Sequence, residues 1–341
     1  MKLSLATPIL VYLLLAATPS INLLTSAQIA TVCESLHPYS YDSGTTSSTS
    51  TVVSHPSAPW IQLDLSQTEL KYNAKLVLIG EKASQELNAS ALEGSNGYSA
   101  VFDGDSVSVE LVTPGGGGGL FRGGGRSSRV VVSAVKVGLC EDDGTASSIC
   151  GIIDDRIAST DVRAGRMGGC TGWLISENVF VQAGHCGTPG SSTRIHFTYG
   201  VSSAPAQDQY AVDVSTYRFQ NDGVGQDWGA GRFLPNSSTS KLPGVAQSEK
   251  CGTAGCGWYT LGTVPSVTTG NTIRVTGFGT ADAESRSQKT HVDALTSVQS
   301  TFLRYVTDTT VSIFIPLSRN CCEKLSSFAS CSPKDLIVLW H

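Results

Sequence analysis

Gly169-Cys170-Thr171-Gly172-Trp173-Leu174-Ile175-Ser176 is followed, after Glu177 and Asn178, by Val179-Phe180-Val181-Gln182-Ala183-Gly184-His185-Cys186. The stretch reads as two short strands with a histidine on the turn beyond the second and bracketing cysteines. A histidine just past an apolar strand is usually structural or exposed. Here Cys186 follows it directly, Cys170 lies 16 positions before that cysteine, and Ala183-Gly184 makes a small-residue approach to the turn. A Cys170–Cys186 bridge would tie the loop bearing His185 to the preceding strand, holding the imidazole where a base must point. Zinc is the rival use of His185 and Cys186, but no Cys-x-x-Cys or His-x-x-x-His spacing accompanies them. No metal and no cofactor is expected.

Outward from this stretch, residues from Arg129 onward form many short apolar runs separated by Gly, Asn and Ser. Val130-Val131-Val132, Ile195/Phe197/Tyr199, Ala211–Val214 and Ile273/Val275 all fit strands, and no heptad, long amphipathic helix or internal repeat interrupts them. An all-β sandwich or barrel is the coarse result. Upstream, Pro59 to Val112 alternates in the manner of strands, with Asn96-Gly97 and Asp103-Gly104 as turn signals. These predict a small β-sandwich without an evident catalytic cluster. Tyr41–Ser54 is Ser/Thr-rich and is expected to be mobile. Between the two parts lie Gly115–Gly119 and Gly123–Gly125, where no Lys-Ser/Thr follows, so a linker is the better reading than a phosphate loop. Arg122, Arg126 and Arg129 would make that linker an easy target for proteolytic nicking.

Composition sets the compartment. The chain has 341 residues, 40% apolar and 15% charged, with a net charge of −5. That length suggests two domains, since an all-β barrel pair takes roughly 200–250 residues. No basic patch is visible, which argues against nucleic acid. Lys2, the apolar run Ile9–Ala17 and the small residues Thr25-Ser26-Ala27 predict a secretory signal over residues 1–27. The apolar run is too short for a membrane span, which needs about 20 residues. Ten cysteines fit an oxidising compartment. Asn88-Ala89-Ser90 and Asn236-Ser237-Ser238 are candidate glycosylation sites. Cys251 and Cys256 flank a Gly-Thr-Ala-Gly loop and are expected to bridge each other, Cys140 and Cys150 have several options, and Cys33 has no evident partner. The connectivity as a whole stays open.

Cys-Thr-Gly-Trp-Leu-Ile-Ser followed by Ala-Gly-His-Cys resembles the chymotrypsin-like (trypsin-fold) serine peptidases, and the glutamyl-endopeptidase branch more than the trypsin branch. The resemblance covers roughly Ile149 to Thr310. It implies a catalytic role for His185 and places the family's Asp at Asp227, in Gln226-Asp227-Trp228-Gly229-Ala230-Gly231-Arg232-Phe233, with Asp213 and Asp222 as competitors. Ile273–Thr280 resembles the second-barrel strand ending in Gly-Tyr/Phe-Gly. Tyr305–Thr310 resembles the lead-in to Gly-Gly-Asn-Ser-Gly-Ser-Pro, the segment that carries the nucleophile in this branch.

Here the next residues are Val311-Ser312-Ile313-Phe314-Ile315-Pro316, and none of the chain's 36 glycines lies beyond Gly279. The family's oxyanion hole uses backbone N–H groups of the Ser and of a Gly two positions before it, where the chain must turn sharply. Ser312 lies between Val311 and β-branched Ile313 and would prefer an extended strand. Asp42-Ser43-Gly44 is no substitute, being far upstream. Completing a second barrel and a final helix would need on the order of 40 to 50 residues after Thr310. Cys321, Cys322 and Cys331 crowd the tail that stands there instead, and a translated intron or shifted reading frame is favoured over genuine divergence.

The expected architecture is all-β: a small β-sandwich, then a trypsin-like double β-barrel whose second barrel is incomplete. Residues 1–27 would be the signal, 28–113 an N-terminal β-rich domain or pro-region, 114–128 the linker, 129–310 the peptidase domain and 311–341 an aberrant tail. The expected protein is a secreted, extracellular monomer of a serine-endopeptidase family, acting on protein or peptide, without membrane anchor or nucleic-acid partner, and silent as written for want of a nucleophile. The rival from another class is a non-catalytic secreted module that binds proteins or glycans. Retention of both His185 and Asp227 counts against it.

Overall fold

The computed structural model describes residues 35–113, 127–138, 156–200, 202–222, 226–262, 272–278 and 287–295, with backbone alone for 34, 296–298, 303–305, 324–326, 329–332 and 335–338. The N-terminal unit comprises β1 (Glu34–Thr46), β2 (Thr49–Ser54), β3 (Trp60–Asp64), β4 (Lys75–Ile79), β5 (Ser84–Leu87), helix α1 (Ala89–Gly94), β6 (Phe102–Asp103), β7 (Ser106–Val112) and β8 (Ser128–Gly138). Two four-stranded sheets, ordered β1-β8-β3-β6 and β2-β7-β4-β5, enclose one apolar core. Period-two patterning builds it: Val107, Val109 and Leu111 of β7 point inward and are almost fully buried, opposite Ile61 and Leu63 of β3. Strand β8 sits centrally between β1 and β3, so Val130, Val132, Val135 and Val137 complete this core.

Two sequence expectations meet the structure here. Ser128–Gly138, placed by the sequence reading mostly in the following domain, pairs within the N-terminal sheet. Tyr41–Ser54, expected to be mobile, belongs to β1 and β2. Composition misled because these strands need little apolar surface of their own: β8 and β7 supply it, backbone pairing satisfies the ladder, and Tyr39, Tyr41 and Val53 reach the core.

Downstream come β9 (Ile157–Ala158), β10 (Ala164–Met167), β11 (Cys170–Leu174), β12 (Val179–Gln182), β13 (Arg194–His196), β14 (Gln209–Asn221) and β15 (Asp227–Phe233). Strands β10 to β15 close into a six-stranded antiparallel barrel, ordered β10-β11-β12-β15-β14-β13. Met167, Leu174, Phe180, Ile195, Tyr210, Val212 and Phe233 fill it, and Phe180 stacks on Phe233 at 4.3 Å between ring centroids. Helix α2 (Pro243–Cys251) follows, opened by Pro243 and ended by Gly252 at φ +76°.

The remaining strands, β16 (Thr272–Phe278), β17 (Gln288–Val298), β18 (Leu303–Tyr305), β19 (Lys324–Ser326), β20 (Ala329–Ser332) and β21 (Asp335–Val338), form with β9 an open seven-stranded sheet. Segments of the tail thus pair with this sheet, and among the described residues the sheet does not close. It is fastened to the barrel by polar contacts. Trp173 Nε1 donates to Thr276 O at 2.7 Å, and Phe278 N donates to Thr171 Oγ1 at 2.9 Å. Nearby, burial raises the pKa of Asp161, but the Arg163 guanidinium and the Tyr259 hydroxyl outweigh it and hold the carboxyl below its ordinary value.

The barrel also meets the N-terminal unit through buried polar groups. Arg194, 6% exposed, donates to Ser95 O at 2.6 Å and Tyr98 O at 3.2 Å, and burial pulls its pKa down to about 10. Gln209 bonds both backbone groups of Val101 at 2.8 Å, and Gln62 Nε2 donates to Ser192 O at 3.2 Å. Ala206 enters the N-terminal core.

Candidate functional site

His185 lies on a short 3₁₀ turn, Gly184–Cys186, that leaves the end of β12. Asp227 opens β15, the neighbour of β12 in the barrel, with Gln182 opposite Gly229. This register brings the two side chains together although 42 positions separate them. Asp227 Oδ1 accepts from the backbone N–H of His185 at 2.7 Å, and Oδ2 lies 2.5 Å from His185 Nδ1. With Asp227 ionised the carboxylate can only accept, and the tautomer that fits this contact carries its proton on Nδ1 and leaves Nε2 as the basic atom of the ring. The Asp227 side chain is 14% exposed and that of His185 is 31% exposed, so the orienting group is sheltered while the imidazole reaches solvent.

Three further features hold the turn. Cys170, at the start of β11, forms a disulfide with Cys186. Tyr217 Oη donates to Gly187 O at 3.1 Å and accepts from Gln182 Nε2 at 2.7 Å; burial raises its pKa, keeping it a neutral donor. Gly184 has no room for a side chain, since a Cβ there would lie 1.8 Å from Gln220 O. The roles of Tyr217 and Gln182 have no local sequence signal, because both depend on the barrel register. The smallness of Gly184 is visible in the sequence, but its reason is not.

The competing aspartates stand elsewhere. Asp213 accepts from Ser215 Oγ at 2.6 Å within β14, and the exposed Asp222 accepts from Gln220 Nε2 at 2.9 Å. Asp42-Ser43-Gly44 forms an irregularity of β1, where Ser43 Oγ accepts from Val130 N at 2.9 Å and Asp42 pairs with Arg129. That serine serves strand pairing. Cys251 and Cys256 also form a disulfide. Ser312 lies outside the described residues, as do Cys33, Cys140, Cys150, Cys321, Cys322 and residues 1–27.

The two glycosylation candidates part company. Asn88 is exposed and caps α1, its Oδ1 accepting from Ala91 N at 2.8 Å. Asn236 is 2% exposed, and its Nδ2 donates to Ala206 O and to Gln209 O, both at 2.8 Å. The sequence expectation for Asn236 is thereby corrected: the amide nitrogen that a glycan would occupy is buried and committed to the fold.

No family model and no curated protein matches the chain. Among solved structures, one similar chain is titled "Kallikrein-related peptidase 10 complex with Zn2+", at 11% identity and a TM-score of 0.32, covering 53% of this chain and 81% of that one. At that TM-score the likeness carries neither fold nor activity across.

Proposed function

We propose that this protein is an exported member of the chymotrypsin-like serine peptidases in which the base and its orienting carboxylate are retained and the nucleophile segment is not. The observation that carries the reading is the double hold of Asp227 on His185, one oxygen on the ring and one on the backbone, across adjacent barrel strands. In such a pair the carboxylate fixes the tautomer, and Nε2 is the ring atom that takes a proton from an attacking hydroxyl and returns it to a leaving amine. In an intact relative that hydroxyl would belong to a serine shortly after the position of Thr310, giving an acyl-enzyme from a protein or peptide substrate. Here Val311–Pro316 stands in that place, without the glycines that would build the oxyanion hole.

The glutamyl-endopeptidase affinity rests on the sequence of Cys170–Ser176, Ala183–Cys186 and Tyr305–Thr310, and export on residues 1–27 and the disulfides. The purified chain should fail to react with an organophosphonate or sulfonyl fluoride that labels activated serines. Labelling at Ser312, mapped by peptide mass spectrometry, would overturn the reading of the tail. Sequencing the transcript across the codons for Thr309–Val311 separates a shifted frame or retained intron from a true pseudoenzyme.

A further inference from the structure

In the N-terminal unit, His37 and His55 face one another with ring centroids 4.3 Å apart and planes tilted by 40°. His37 lies on β1, opposite Val135 of β8, on the same face as Tyr39 and Tyr41, which pack against the core. His55 follows β2 directly, and both its backbone groups are fixed: its N–H donates to Asp105 O at 2.8 Å, and its carbonyl accepts from Ala58 N at 3.2 Å. The two rings therefore come from different sheets, at the end of the β1–β2 pair away from the connection at Ser47 and Ser48. His37 Nε2 and His55 Nδ1 are both buried, and neither has a hydrogen-bond partner.

Buried polar atoms are nearly always bonded, and two orphans on rings in contact call for an explanation. Hydrogen bonding between the rings is not the answer, since neither nitrogen bonds to the other. What would satisfy both is a cation taking the lone pair of each neutral imidazole. We propose that His37 and His55 form a binding site for a borderline divalent cation such as Zn²⁺, tying the two sheets of the N-terminal unit together at one end. Imidazole nitrogen suits Zn²⁺, Cu²⁺ and Ni²⁺, at about 2.0–2.1 Å for zinc, while Ca²⁺ and Mg²⁺ require oxygen. Among the described residues no group of three His, Cys, Asp or Glu converges as a ligand set, so water completes the coordination. Binding to the folded form alone raises stability by mass action.

The test uses the full chain with Zn²⁺ as the probe. Competition against a chromophoric chelator measures binding, and thermal unfolding followed by circular dichroism measures its consequence. The expected result is one zinc per chain that is lost in His37→Gln and in His55→Gln and kept in His185→Ala. The melting temperature should rise by about 2–4 °C with saturating Zn²⁺ and not with Ca²⁺. Both glutamine variants keep an amide of similar reach, and their cooperative melting without metal shows that they fold. Should one of them fail to fold, the other decides. Absence of zinc binding, or binding unchanged in a folded glutamine variant, overturns the proposal and assigns the orphan nitrogens to water.

Discussion

Gly184 occupies the tightest point of the site. Its backbone passes so near β14 and β15 that a methyl group would fall 1.8 Å from Gln220 O and 2.8 Å from Trp228 N. Both contacts are backbone and cannot rotate away. Gly184→Ala should therefore destabilise the barrel by about 3 kcal/mol, toward the upper end of overpacking costs, as read from chemical denaturation. Asn236 and Asn88 offer a second test at this scale. Peptide mass spectrometry of protein secreted from a glycosylating host should find a glycan on Asn88, whose Oδ1 does the capping, and none on the buried Asn236. A glycan on Asn236 would mean that the loop around it folds differently.

Among the elements, the His185 turn depends on its neighbours more than on its own residues. The Cys170–Cys186 bridge closes 16 residues, and its removal in Cys170→Ala/Cys186→Ala should lower stability by about 3 kcal/mol if loop entropy dominates. The same element marks what could be read from the chain alone. The strands around His185 were legible because apolar runs, bracketing cysteines and small residues all lie within 18 positions. Asp227 was legible by order and spacing, but Asp213 and Asp222 could be set aside only once β12 and β15 were seen as neighbours. Tyr217 and Gln182 were not legible, because a contact across barrel strands leaves no trace in local pattern. Tyr41–Ser54 was misread for a related reason: its ladder partners lie far along the chain, in β7 and β8.

For the whole molecule, the buried polar contacts of Arg194, Gln209 and Gln62 join the N-terminal unit to the barrel, and one buried group nearby sets an acid limit. Burial, reinforced by Arg166, Arg194 and Lys136, holds His196 well below the ordinary imidazole range. Below about pH 6.5 the unfolded chain therefore binds a proton that the folded chain refuses, so stability falls as pH drops from that point. Denaturation midpoints should decline from about pH 7.5 to about pH 5.5, with a slope of at most about 1.4 kcal/mol per pH unit from this group, and His196→Gln should flatten that part of the curve. The central claim, that His185 and Asp227 are a working base pair lacking a nucleophile, is tested most directly by restoring one. A chain whose residues after Thr310 are replaced by a Gly-Gly-Asn-Ser-Gly-Ser-Pro segment and a complete second barrel should be labelled by an organophosphonate at the new serine. His185→Ala in that chain should abolish labelling, and Asp227→Asn should slow it by about 10⁴-fold. Labelling at the same rate without His185, or none in a restored chain that melts cooperatively, would contradict it.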